Sequence, residues 1–152
     1  MSKRQAPLGM ALFLLSEAIF FFMLILAFVY FRDARTAAIL RLRATAMDTA
    51  FLVASTFTMW QAVRMESRSW LAATIALGSI FLIGQGSEYI RIQNLPGTAF
   101  FMLTSLHGLH LLAGIVLLSA MLVVNTKQLG VAALYWYFVA AVWIAIFMVV
   151  YL

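Results

Sequence analysis

The chain has 152 residues, 66% of them hydrophobic and only 10% charged, whereas a soluble domain carries about 25% charged residues to solvate its surface. With a mean hydropathy of +1.05, this composition excludes a water-facing globule and makes lipid the solvent. The net charge of +5 would suggest nucleic acid in a soluble protein, but here the basic residues fall in short connections that meet lipid headgroups; with no Cys, disulfides, thiolate metal sites and cysteine nucleophiles are excluded as well.

A bilayer core about 30 Å thick takes roughly 20 apolar residues of helix, and five segments are read on that basis. The first runs over residues 8–31 and stops at Arg32, Asp33 and Arg35. Lys3 and Arg4 resemble the n-region of a secretory signal, yet the apolar run is too long for one. Glu17 interrupts it and no small-residue cleavage site follows, so it reads as a retained helix. The second segment, 44–63, carries Asp48, Thr49, Ser55, Thr56, Thr58 and Gln61, so one of its faces must be covered by protein. The third, 70–90, is bounded by Arg64, Glu66 and Arg68 before it and Arg91 after it. Asn94 to Gly97 has the composition of a turn. The fourth spans 98–124 and is closed by Asn125-Thr126-Lys127-Gln128; the fifth spans 129–152.

The expected fold is therefore all-α: one transmembrane domain over 1–152, an integral membrane bundle of five transmembrane helices. Short connections predict that successive helices pack up and down as antiparallel neighbours. Small residues at helical spacing (Ala72 and Ala76, Gly78 and Gly84, Gly108 and Gly114, Ala141 and Ala145) mark faces where backbones come close in lipid. Charge does not orient the bundle. Lys3, Arg4, Arg64, Arg68 and Lys127 fall on one side and Arg32, Arg35, Arg41, Arg43 and Arg91 on the other, an even split under the positive-inside rule.

Ionisable groups within a span are costly and face protein, water or a functional pathway. Glu17 lies roughly 14 Å into the first helix and His107 roughly 14 Å into the fourth, entered from the opposite face. Both fall near the midplane. His110 shares a face with His107, three residues away. Glu88 sits near the exit of the third helix, beside Tyr89, where a carboxylate reaches headgroups or water. Three readings of Glu17, His107 and His110 are open. Two His and a carboxylate are a ligand trio for a metal, but the chain has only these two His. A buried Glu and His also exchange protons, but no polar trail links them to both surfaces. The residue pattern favours the third reading, a structural hydrogen bond from Glu17 to one of the two histidines that sets the register of two helices. No phosphate loop, nucleophile elbow or zincin pattern is present, and no catalytic or metal-binding residue is expected. The aromatic cluster Tyr135-Trp136-Tyr137-Phe138 and Trp143 reads either as an interfacial belt or as a contact with a partner subunit.

In order and spacing these segments resemble one family, subunit III of haem–copper oxidases. Ser16-Glu17 with Phe20-Phe21-Phe22 is similar to that family's Ser-Glu and aromatic run. Asp48-Thr49 with Leu52, Ser55 and Thr58 resembles its next helix, which usually opens Asn-Thr. Gln85, Glu88 and Tyr89 look like its Gln…Glu-Tyr helix end. Phe100-Phe101 leading to His107-Gly108-Leu109-His110 and Gly114 matches its most distinctive signature, and Tyr135-Trp136, Phe138, Trp143 and Tyr151 look like its last helix. Tyr137 and Ala140 depart from the His and Asp common at those positions, and Asp48 from the usual Asn. The chain looks like the shorter, five-helix form found in bacterial cytochrome c and quinol oxidases and in an accessory protein of nitric oxide reductases.

The resemblance implies a non-catalytic subunit of a respiratory terminal oxidase that reduces oxygen to water in aerobic electron transport. It would bind no haem or copper itself; those belong to subunit I, with electron entry through subunit II or its quinol-binding equivalent. The implied role is to stabilise subunit I and support proton uptake and oxygen access, with phospholipid the one ligand class and membrane lipids, not nucleic acid, as surroundings. It also implies the bacterial inner membrane, with the N-terminus cytoplasmic and the C-terminus periplasmic.

Overall fold

The computed structural model describes residues 5–31, 42–92, 98–124 and 129–151. They form five helices, α1 (Gln5–Tyr30), α2 (Leu42–Met65), α3 (Arg68–Ile92), α4 (Thr98–Val124) and α5 (Leu129–Tyr151), with no strand among them. The expected segments agree to within a few residues, α2 growing by two at each end. The turn expected at Asn94 to Gly97, the closing residues 125–128 and the basic residues at 3, 4, 32, 35, 41 and 127 lie outside the described residues. Four helices, α1, α3, α4 and α5, are long and apolar enough to cross a membrane. The fifth, α2, has the length, 24 residues, but its hydroxyls and Asp48 lower its apolarity.

How α2 joins the bundle follows from where those polar groups go. Thr45, Leu52, Ser55, Met59 and Ala62 are all buried, and a three-to-four residue spacing puts them on one helical face. Phe51, Val53, Phe57 and Trp60 look outward. Thr58 meets Thr74 of α3 hydroxyl to hydroxyl at 2.8 Å, and Asp48 packs over Gly84. As one contact moves up α2 the other moves down α3, so the two run antiparallel. Their joint is tight. Glu66 has φ of 49°, the left-handed C′ position that usually takes Gly, and Ser67 N–H reaches the Ala62 carbonyl at 3.3 Å, as in a Schellman motif. Ser67 then offers its carbonyl to the N–H of Leu71 and starts α3.

Neighbouring pairs α2–α3, α3–α4 and α4–α5 pack as expected, and α5 closes the ring against α2. The first helix differs: α1 packs chiefly on α4 and α5. Its apolar sides find no special partner in lipid, whereas α2 has already spent its polar face on α3 and α5. The central element is α5, half of whose spanning segment is buried against 11% for α1. Trp136, Val139, Ala140, Trp143, Ile146 and Val150 form its inner stripe. Tyr135 and Trp136 are therefore interior residues, neither a lipid belt nor a partner contact. Ala140, where the resembling family commonly has Asp, is interior too. Ala72, Ala76 and Ala141 face outward, so the close approaches fall to glycines instead.

Gly78 is the tightest of these. A Cβ there would lie 2.5 Å from Cη2 of Trp136 and 2.9 Å from its Cζ2, and that indole is 1% exposed. Gly86, on the open side of the same helix, has nothing within 4 Å. Gly78→Ala should lower stability by about 1–3 kcal/mol through overpacking. Gly86→Ala should raise it by about 0.5–1 kcal/mol by improving helix propensity. Thermal unfolding in mild detergent checks both, and a Gly78→Ala protein as stable as the parent would contradict the packing described.

Candidate functional site

The polar groups at membrane depth form two assemblies. The first joins α1, α4 and α5. His110 Nδ1 lies 2.7 Å from the Leu106 carbonyl one turn back; a carbonyl only accepts, so Nδ1 carries a proton. His110 Nε2 lies 2.8 Å from Glu17 Oε2. One proton is shared there, held either by the carboxylic acid or by the imidazole, and the pair has no net charge in both arrangements. That neutrality matters in lipid, where an uncompensated charge is expensive. Phe21 of α1 covers the imidazole edge-on, its ring centre 4.9 Å away. From the other side Tyr135 of α5 donates its hydroxyl to the His110 carbonyl at 2.9 Å. Gly114, one turn on, admits that ring: a Cβ there would lie 3.2 Å from it. Sequence reasoning left open which histidine Glu17 meets; the geometry selects His110.

His107 is different in kind. It is wholly buried, and neither ring nitrogen has a hydrogen-bond partner among the described residues. Its surroundings are rings, Trp143 of α5 at 5.0 Å, Phe21 of α1 at 6.3 Å and Phe81 of α3 at 6.4 Å between centres. Such a histidine acts as a packed aromatic at the point where four helices meet. The three groups weighed from the sequence as a metal trio stand in two settings: Glu17 bonds His110, whereas His107 lies among the rings of Trp143, Phe21 and Phe81.

The second assembly lies nearer one end of the bundle, between α2, α3, α4 and α5. A cavity of about 20 Å³ opens there, walled by Asp48, Gln85, Glu88, Tyr89, Thr104 and Trp143 among others. Glu88, expected near the exit of its helix, stands in this wall. Tyr89 bonds Ser105 of α4 at 2.6 Å, and Gln85 Nε2 reaches the Thr104 carbonyl at 3.4 Å.

The remaining singled-out residues divide between joints and plain packing. Trp136 Nε1 donates to Ser55 Oγ of α2 at 3.1 Å and Trp143 Nε1 to Thr49 Oγ1 at 3.0 Å. Ser16 donates to the Phe13 carbonyl of its own turn and bonds no other helix among the described residues. Gly108 makes only ordinary contacts with Leu82 and Gln85, and Phe138 is partly buried against the core. Sequence reasoning missed Phe21 and Phe81 as the cage of His107, and Thr49 and Ser55 as the acceptors of the two indoles. The signal for the hydroxyls was present in the spacing of the polar face of α2. Their partners on α5, 81 and 94 residues away, were not visible in that spacing.

The family described as Cytochrome c oxidase subunit III matches residues 37–152. Among curated relatives, the cytochrome c oxidase subunit 3 of Synechocystis sp. is 33% identical over 95% of this chain and 74% of its own length. That of Thermostichus vulcanus is 28% identical over 95% of this chain and 86% of its own. That of Corynebacterium diphtheriae is 37% identical over 55% of this chain and 49% of its own. The family match begins after α1, whereas the first two relatives align over most of the chain.

The two histidines should respond oppositely to replacement. His110→Phe leaves the Glu17 carboxyl without its partner and should cost about 1–3 kcal/mol. His107→Phe removes two unbonded nitrogens from an aromatic cage and should leave stability unchanged or raised. Unfolding midpoints in detergent decide this; equal losses at both positions would refute the distinction.

Proposed function

The chain belongs to the cytochrome c oxidase subunit III family, and from that premise we propose that it serves as the non-catalytic third subunit of a bacterial haem–copper terminal oxidase. It is a multi-pass membrane protein, and its family places it within an oxidase complex of the electron-transport chain. Beyond that, the proposed partners are subunit I, which holds haem and copper, and subunit II or its quinol-binding counterpart. The proposed setting is the bacterial inner membrane, with the N-terminus cytoplasmic and the C-terminus periplasmic.

The observation that carries this reading is the way the polar groups at membrane depth are used. Glu17, His110 and Tyr135 bond one another or the backbone, joining three helices. An arrangement whose donors and acceptors are spent on helix register suits a support for a neighbouring catalytic subunit. The apolar faces left outside, notably Leu12, Leu15, Ile19, Phe22 and Met23 on α1, suit lipid and another membrane subunit equally. Through them the subunit would stabilise subunit I, bind phospholipid and keep proton uptake and oxygen access effective.

Purification from the native host in mild detergent tests the proposal. Haem and copper should co-purify with oxygen consumption. Nitric oxide consumption instead would make the chain an accessory subunit of a nitric oxide reductase, and a haem-free oligomer that moves protons across liposomes would refute both. In the assembled oxidase, Glu17→Ala should reduce the yield of intact complex or hasten its loss of activity during turnover, severalfold, with the haem spectrum unchanged. A changed spectrum at normal yield would count against the supporting role.

A further inference from the structure

A hydroxyl or indole donor at membrane depth needs an acceptor, because hydrocarbon supplies none. Away from the helix ends, the serine and threonine hydroxyls of the described spans each lie on a carbonyl of their own helix, as Thr56, Ser79 and Ser119 do. Tyr135 donates to the His110 carbonyl, and Trp136 and Trp143 donate to hydroxyls of α2. Tyr137 stands apart: its hydroxyl makes no hydrogen bond among the described residues. Counted from Leu129, Tyr137 lies about 12 Å along α5 at the helical rise per residue. That is about 10 Å inside a hydrocarbon core about 30 Å thick, farther than a tyrosine side chain reaches toward the headgroups. The ring also packs on the core, which limits its swing.

Tyr137 belongs to the outward stripe of α5. Leu134, Ala141, Ile144 and Met148 stand at helical spacing from it and are exposed. Ala141 follows the phenol by one turn, and Gly130, with nothing within 4 Å, precedes it by two. Small residues beside a polar one let a second helix come close in lipid. The outward face of α1 differs, since Ser16 donates to its own turn and the residues around it offer only hydrocarbon. We propose that the Tyr137 stripe of α5 is the docking face for a transmembrane helix of the haem-bearing subunit, which presents a hydrogen-bond acceptor to the Tyr137 hydroxyl. The apolar members of the stripe would suit lipid as well. The phenol does not, because it stands at a depth where acyl chains carry no acceptor. This inference rests on the reading of the chain as an oxidase subunit, and it adds which helix meets the partner and through which atom.

The test uses the complex purified from the native host. Tyr137→Phe removes the donor and keeps the ring. It should leave the unfolding midpoint of the isolated chain unchanged, because the hydroxyl has no partner within it. In detergent it should shorten the time for which the chain stays on the haem-bearing subunit by roughly twofold to tenfold, the range of hydrogen bonds between membrane helices. The photoreactive analogue p-benzoylphenylalanine, put in place of Leu134 on the same stripe, should crosslink in membranes to a transmembrane peptide of that subunit. Crosslinks to lipid alone in an intact complex would overturn the proposal, with the oxidase reading left standing. So would a Tyr137→Phe chain that stays bound as long as the parent, or one whose isolated form is itself less stable. A preparation that carries no haem would overturn the oxidase reading and this docking face with it.

Discussion

Two indole N–H groups on α5, each donated to a hydroxyl of α2, decide how this bundle can exist in lipid. Trp136 and Trp143 are seven residues apart, two turns along one face, and they meet Ser55 and Thr49. Without that face, α2 would present a row of hydroxyls and a carboxylate to hydrocarbon, where unsatisfied polar groups cost several kcal/mol each. The same rings reach the other helices. Trp136 lies against Gly78 of α3 and Gly114 of α4; Trp143 packs on Phe81 of α3 and His107 of α4. Glycines opposite the first ring and aromatics opposite the second are thus consequences of placing two large rings on one central stripe.

The tie between Glu17 and His110 builds on that frame. Helix α4 is held by α3 and α5, and Tyr135 fixes its His110 turn from the α5 side. Only then does the imidazole stand still enough to receive a carboxyl from α1. Hydrogen bonds between membrane helices average about 0.6 kcal/mol in measured cases, so this one does not hold α1 to the bundle by strength. Its effect is on register. Sliding α1 by a turn, about 5.4 Å, would carry Glu17 into lipid and Phe21 off the His107 and His110 rings.

Much of this was legible from residue order. Span lengths and charged stops gave the helices to within a few residues because the bilayer fixes how long an apolar run must be. The polar periodicity of α2 announced a covered face, and the depths of Glu17 and His107 pointed α1 to α4, although the carboxyl meets His110 rather than His107. The role of α5 was not legible. Tyr135 and Trp136 are residue types that suit a lipid interface, a packed core and a subunit contact alike, and only the groups opposite them choose. Gly78 and Gly84 looked like a place for helix backbones to touch. One instead admits an indole and the other a carboxylate, contacts made from 36 or more residues away. Asp48 read from the sequence as a departure from the family's Asn, and its neighbour Glu88 as a group bound for the headgroups. That both line one cavity depended on the α2–α3 register, which no local pattern encodes.

For the supporting role proposed above, this implies a division of labour among the helices. The ring of α2 to α5 satisfies its buried hydroxyls and indoles internally, so its shape persists without help from a neighbour. Helix α1 keeps most of its surface outside that ring and one polar anchor inside it. A partner pressing on α1 therefore meets a face free to adapt but pinned at one depth. Displacing α1 along its axis strains the Glu17–His110 bond before it disturbs the core, because Phe21 and Glu17 are its inward contacts with the α4 histidines. In an oxidase assembly, that places the point most sensitive to a partner's position at the Glu17 turn, at mid-depth and away from the carboxylate cavity at the end of the bundle.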